Sequence, residues 1–296
     1  MKVKILGWKN EELSIVNRLE RGFIELGHEI AFFNEIPDLL IAINPDVYND
    51  AIEEEVAEGG LKIFNVLDVP EHLLDTYPID DIKEQLKEAD VITSISHFTK
   101  KQIKKYFKKN AQVVYTPSLE IENIPRNKDI DFLYVGRATD PNKRFDLIIN
   151  GMRDAGMPLS SLTVCGPDPI SCGIYRGVVT SAHLNELYNQ AKVVLLPSKL
   201  EGVGLSMIEG AMAQAVPLTC SDNKTVKEFG LEEFCAEPDP ESYGRAMMKT
   251  LINFLEKKQR VQEIVEEQNL FNKFDKKTVA QKYIDIYENR INSVGV

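Results

Sequence analysis

Two short stretches of the chain carry residue types whose spacing could hold a phosphorylated ligand. The first is Tyr134-Val135-Gly136-Arg137, an apolar run ending in glycine and a fixed cation, followed across the polar turn 138–142 by Lys143-Arg144. Ligands of open α/β sheets bind beyond the carboxyl ends of strands. A guanidinium there can bind two oxygens side by side while an ammonium supplies a point charge, a combination that suits a diphosphate. The second stretch is Pro197-Ser198-Lys199-Leu200-Glu201-Gly202-Val203-Gly204-Leu205-Ser206-Met207-Ile208-Glu209. Gly202 and Gly204 let the main chain come close to a ligand, and amides at the start of the following helix can receive phosphate oxygens. Glu201 is placed to accept hydrogen bonds from a polyhydroxyl group. A helix beginning near Glu201 puts Glu209 about two turns further along roughly the same face. On the residues alone, two plainer readings stay open: surface cations on a solvated loop, and a helix-capping carboxylate with two turn glycines.

Composition bounds what can position these groups. With 43% hydrophobic and 27% charged residues, the chain has the make-up of a soluble globular protein, which excludes a disordered or collagen-like one. Its 296 residues suggest two medium domains or one large one. The net charge of -11 argues against nonspecific nucleic-acid binding by the surface as a whole. Apolar runs such as 191–197 fall far short of the roughly 20 residues that cross a bilayer. Met1 to Gly7 reads directly as a strand, not as a signal peptide, so the expected location is the cytoplasm. Cys165, Cys172, Cys220 and Cys235 lack metal-ligand or CxxC spacing and read as free thiols, with no metal site expected.

Short β-branched runs alternate with amphipathic stretches throughout, the pattern of βαβ units around parallel sheets, so the fold class is α/β. In the first half, strands are expected at 3–6, 30–33, 39–43, 62–66, 91–94 and 112–115, with a helix over 11–26 stopped by Gly27. Residues 117–128, polar and with Pro117 and Pro125, read as a linker. Strands then restart at 131–135, 162–165, 193–196 and 217–220, with helices near 145–152 and 182–190, one from about Glu201, and more from Glu241 to the end. Two Rossmann-like domains are expected: 1–120, with a helix over 276–296 returning to it, and 127–275. The first strand ends Gly7-Trp8-Lys9-Asn10, without the GxGxxG turn that brings main chain to a pyrophosphate, which counts against an NAD-dependent dehydrogenase.

One surface stands out in the first half. At about 100° per residue, Lys100, Lys101, Lys104, Lys105, Lys108 and Lys109 fall on one half of a helix and Ile103, Tyr106 and Phe107 on the other. Such a face is either simply solvated or docks on anionic lipid, a lipid-phosphate acceptor or nucleic acid.

Together, GR…KRFDLII, PSxxEGVGLSMIE and the following AMAxxxP resemble the retaining glycosyltransferases of family four, the glycosyl transferases group 1. Supporting stretches are Leu162 to Pro167, Ala182 to Tyr188 and the helix-like run Phe274 to Tyr287. The resemblance implies the GT-B architecture, two facing Rossmann-like domains with an interdomain cleft. It implies sugar transfer from a nucleotide diphosphate donor, UDP- or GDP-linked, with retention at the anomeric carbon and no metal or other cofactor. By the same resemblance Gly136, Arg137 and Lys143 serve the donor diphosphate, Glu201 the sugar hydroxyls and Glu209 the ribose. The main chain of Gly202, Val203, Gly204 and Leu205 completes the donor site, with Glu201, Arg137 and Lys143 as the catalytic set. The acceptor would be a glycan or lipid-linked sugar, and the lysine face would bring the enzyme peripherally to an anionic membrane.

Three departures from the family pattern stand in the sequence. Gly210 is one residue more than usual before the AMA segment, and Ala215 stands where the family has glycine. Leu67-Asp68 replaces the family's His-Asp pair, and Asp68, His72 and His97 are set aside from the catalytic list. The missing histidine motivates the alternatives: a noncatalytic sugar-nucleotide-binding protein, or a DNA-modifying glycosyltransferase or nucleotide-sugar epimerase of the same architecture.

Overall fold

The computed structural model describes residues 1–7, 14–32, 34–73 and 77–294. The expected helix start at 11–13, the Trp8-Lys9-Asn10 turn, the strand end at Phe33 and the last two residues of the chain lie outside the described residues. The chain forms two compact units, the first built from Met1–Ser118 and Asn272–Val296, the second from Leu119–Phe271.

In the first unit the strands are β1 (Lys2–Leu6), β2 (Glu29–Ile30), β3 (Leu39–Ile43), β4 (Leu61–Val66), β5 (Val91–Ser94) and β6 (Gln112–Val113). They pair in parallel in the order β2-β1-β3-β4-β5-β6. All five residues of β3 are buried, as a strand covered on both faces requires. The helices are α1 (Ile15–Glu25), α2 (Tyr48–Glu53), α3 (Pro70–Leu73), α4 (Ile79–Gln85) and α5 (His97–Phe107). Helix α1 starts where the Ser14 hydroxyl accepts the Asn17 N–H, and it buries Val16, Leu19 and Phe23, spaced three and four apart.

The second unit holds β7 (Ile130–Val135), α6 (Phe145–Asp154), β8 (Leu162–Cys165), β9 (Ile174–Gly177), α7 (Ser181–Gln190) and β10 (Ala191–Leu196). It continues with α8 (Leu205–Met212), β11 (Val216–Cys220), β12 (Cys235–Ala236), α9 (Pro240–Ile252) and α10 (Phe254–Glu267). The chain then runs through α11 (Leu270–Lys273) into α12 (Lys276–Val294), which packs on α1 in the first unit with Lys276 Nζ 2.6 Å from Glu25. The second sheet is also parallel, in the order β12-β11-β10-β7-β8-β9. Its strand order reverses between β7 and β10, and ligands of such sheets bind at that switch point. Strands β9 and β12 are too short or too exposed to be legible as strands in the sequence.

Of residues 117–128, read as a linker, the part from Leu119 on is strapped to the second unit. The Ile124 N–H donates to Asn189 Oδ1 (3.0 Å), Asn189 Nδ2 donates to the Glu122 carbonyl (2.8 Å), and Lys128 Nζ donates to the Ala213 carbonyl at the end of α8 (2.7 Å). Cys165 and Cys220 are buried, and burial pushes their thiols up to about 11 and about 12; all four cysteines are free. Among the described residues no helix is long and apolar enough to cross a membrane.

Candidate active site

The two stretches picked from the sequence follow β7 and β10, so they flank the switch point of the second sheet. A few long-range hydrogen bonds hold them there. Asn142 Nδ2 donates to the Leu200 carbonyl at 2.8 Å, and its Oδ1 accepts the Leu200 N–H at 2.9 Å. Next to that contact Lys143 Nζ lies 2.6 Å from Glu201 Oε1, with the two side chains only 21% and 12% exposed. Arg144 forks onto both carboxylate oxygens of Asp222, after β11, at 3.0 and 2.6 Å, and this contact raises the Arg144 pKa. The Thr225 hydroxyl donates to the Glu201 carbonyl at 2.5 Å. On the other side, Asp168, after β8, accepts the Thr139 N–H at 3.0 Å, and that bond holds its carboxyl below the usual range.

Gly136 and Arg137 sit at the mouth of β7. The Gly136 N–H donates to the Cys165 carbonyl at 2.9 Å, and a Cβ on Gly166 would collide with the Gly136 carbonyl, so glycine at 166 permits this approach. The Arg137 carbonyl accepts the Tyr134 hydroxyl at 3.1 Å, and burial holds that phenol above its usual pKa. The Arg137 guanidinium is 62% exposed and pairs with Asp140 at 2.9 Å. Of the two expected diphosphate cations, Lys143 is therefore half-buried against Glu201 and Arg137 stands at the rim.

The helix expected from Glu201 begins four residues later. Its N-cap is Gly204, at φ +78°, and no side chain caps it, so Glu201 is neither a helix residue nor a helix cap. The backbone of 202–204 cannot be helical with Gly204 left-handed, which takes Glu201 and Glu209 off a common helix face. Val203 and the glycines on either side of it are buried in that loop, and Leu205 opens α8.

Glu209 is 4% exposed. Its Oε1 accepts the Leu119 N–H at 2.8 Å and its Oε2 the Tyr188 hydroxyl at 2.9 Å. The neighbouring Gly210 faces β10, where a Cβ would lie 2.7 Å from Val194 Cγ2. The left-handed residue that ends α8 is Gln214, at φ +61°, and not Ala215.

Asn142, Arg144, Asp222, Thr225 and Tyr188 were not picked from the sequence as site residues. The Lys-Arg dipeptide hinted at Arg144, but its partner lies 78 residues away and no spacing marks it. In the first unit, His72 Nδ1, on α3, lies 2.8 Å from Oδ2 of Asp68, in the loop after β4. Helix α5 ends at Phe107, and Lys108, at φ +59°, caps it by donating to the Lys105 carbonyl at 2.8 Å. Lys108 and Lys109 therefore lie beyond the helix on which all six lysines were expected, because the left-handed turn breaks the 100° step there.

The fold places the chain in a class, the α/β proteins of GT-B type. Sucrose-phosphate synthase from Thermosynechococcus elongatus matches with a TM-score of 0.78 at 11% identity, over 99% of both chains. HepE of Anabaena, in complex with UDP and glucose, matches with a TM-score of 0.74 at 11% identity, over 98% of this chain and 100% of that one. A TarM variant of S. aureus, in complex with fondaparinux, alpha-GlcNAc-glycerol and UDP, matches with a TM-score of 0.67 at 12% identity, over 92% of this chain and 58% of that one. Within the class, residues 129–253, inside the second unit, match the family described as glycosyl transferases group 1. No curated protein matches the chain.

Proposed function

We propose that the protein transfers a sugar from a nucleoside diphosphate donor, UDP-linked in the first instance, to an acceptor taken by the first unit, with retention at the anomeric carbon. The observation that carries this reading is the Lys143–Glu201 pair, 2.6 Å apart and partly buried beside the switch point of the second sheet. It sets a cation for the diphosphate against a carboxylate for sugar hydroxyls. Support comes from the group 1 family match and from the UDP bound in the HepE and TarM structures.

In this scheme the departing diphosphate gains negative charge, which Lys143, Arg137 and the first amides of α8 stabilise more in the transition state than in the ground state. Glu201 holds the donor hydroxyls and, while the site is empty, neutralises Lys143. Gly136, Gly202, Val203, Gly204 and Leu205 offer main chain to the donor. Glu209 takes a ribose hydroxyl by sharing the carboxylate that also binds Leu119 and Tyr188. The scheme uses no metal ion, and the protein works in the cytoplasm.

The lysine face supports a membrane-borne acceptor. Lys100, Lys101, Lys104 and Lys105 are exposed while Thr99, Ile103 and Phe107 are buried, and none of the six lysines forms an ion pair among the described residues. On a protein of net charge -11, a cationic helix face suits a peripheral contact with anionic lipid.

Calorimetry with UDP and GDP, followed by transfer assays with the corresponding nucleotide sugars, tests the reading. Glu201→Gln should depress turnover far more than affinity for the bare nucleoside diphosphate. Binding without turnover would leave a noncatalytic sugar-nucleotide-binding protein, and no binding of either nucleotide would end the proposal.

A further inference from the structure

We infer that Asn142 is a positioning residue that sets the Lys143–Glu201 pair by clamping the loop after β7 to the loop after β10. The inference rests on the donor-site reading above.

Three hydrogen bonds cross between the two loops at this point. The Asn142 side chain gives one hydrogen to the Leu200 carbonyl and takes one from the Leu200 N–H, at 2.8 and 2.9 Å, and the Asn142 carbonyl accepts the Lys199 N–H at 3.0 Å. A side-chain amide thus pairs with a main-chain peptide as one strand pairs with the next. Lys143 directly follows Asn142 and Glu201 directly follows Leu200, so the register of this clamp brings the two charged residues face to face. The clamp is itself anchored at both ends. Asp140 Oδ1 accepts the Asn142 N–H at 2.9 Å, and Thr225 holds the Glu201 carbonyl at 2.5 Å.

Chemistry restricts the residue. The contact needs one donor and one acceptor on adjacent atoms of a short side chain, which asparagine has and its isosteres lack. Asp at 142 would keep the bond from the Leu200 N–H and set a second oxygen against the Leu200 carbonyl. Ala would keep only the main-chain bond from Lys199. In either case Lys143 and Glu201 would depend on a partly exposed ion pair, which by itself fixes two long side chains poorly. Small displacements of a positioning group are costly in a site that works by prearranged charge.

Asn142→Asp and Asn142→Ala should weaken UDP affinity about tenfold and lower kcat/KM with the nucleotide sugar at least as much. The decisive measurement is a double-variant cycle. If Asn142 acts through the pair, adding Asn142→Ala to Lys143→Ala should change UDP affinity less than about twofold. A second full tenfold loss in that background, or no loss in the single variants, would overturn the inference. A ligand-free measurement separates it from the donor-site reading. Competitive labelling of Lys143 with an amine-reactive reagent should run several-fold faster in Asn142→Ala than in the wild type, with no change at the exposed Lys199. If the wild type binds no nucleotide but this labelling difference holds, the clamp stands and only the donor assignment falls; equal labelling rates refute the clamp itself.

Discussion

Glu209, on α8, accepts the main-chain N–H of Leu119 at 2.8 Å, 90 residues earlier in the chain. Leu119 is the first residue of the second unit, so this carboxylate fastens the chain just after it leaves the first unit. The same carboxylate takes the hydroxyl of the fully buried Tyr188 at 2.9 Å. A residue given to the ribose by family resemblance therefore has structural work even when no nucleotide is bound.

Glu209→Ala should accordingly destabilise the nucleotide-free protein by about 1 to 3 kcal/mol, because it removes the carboxylate that accepts a buried N–H and a buried hydroxyl. Tyr188→Phe should cost about 1 to 2 kcal/mol. Urea titration of both variants measures this, and a Glu209→Ala protein as stable as the wild type would leave the carboxylate free to serve only the ribose.

Lys143 and Arg137 should differ as diphosphate ligands. Lys143→Ala should weaken UDP binding by about 1 to 3 kcal/mol, the scale of a charge-assisted hydrogen bond, and it also leaves the Glu201 carboxylate facing the phosphates. Arg137, 62% exposed and paired with Asp140, should contribute less than about 1 kcal/mol. Calorimetry showing the reverse order would move the diphosphate to the rim.

Lys128 gives a pH signature. Burial, with Lys258 nearby, pushes its ammonium from 10.5 down to about 7. Between those values the unfolded chain holds a proton that the folded one has released. This site therefore adds stability as pH rises through the window, and its burial penalty is complete below it. The stability of the wild type relative to Lys128→Met should climb by up to about 1.4 kcal/mol per pH unit between about pH 7 and 10. A pH-independent difference would mean that the Ala213 and Tyr188 carbonyls, which accept from Lys128 Nζ at 2.7 and 3.4 Å, keep the ammonium charged.

The lysine face predicts sedimentation with vesicles that contain acidic headgroups, and not with neutral ones. Binding should weaken steeply with salt, since exposed charges are screened beyond about 8 Å at physiological ionic strength. Reversing Lys100, Lys101 and Lys104 to Glu should abolish it while sparing UDP affinity. A wild-type protein that ignores acidic vesicles at low salt has only a solvated face.

Much of the secondary structure and both charged loops were legible in the sequence, and the reason is locality. Strands β3 and β8 match their expected bounds because each is a short, mostly apolar run cut off by polar residues or glycine, and β5 matches as a β-branched run. The GR…KR and PSxxEGVG stretches were picked out by residue type, and only their combination, through its resemblance to a family pattern, set them apart from solvated loops. Less local features were misplaced or invisible. The start of α8 at Leu205 depends on one left-handed glycine, and the end of α5 at Phe107 on one left-handed lysine. The links that assemble the site, Asn142 to Leu200, Arg144 to Asp222 and Glu209 to Leu119, join residues 58, 78 and 90 positions apart. Periodicity reports which face of an element is apolar, and residue type reports what chemistry a loop could do. Which loops meet at the carboxyl edge of a sheet follows from strand order, and that order emerges only when the whole sheet has packed.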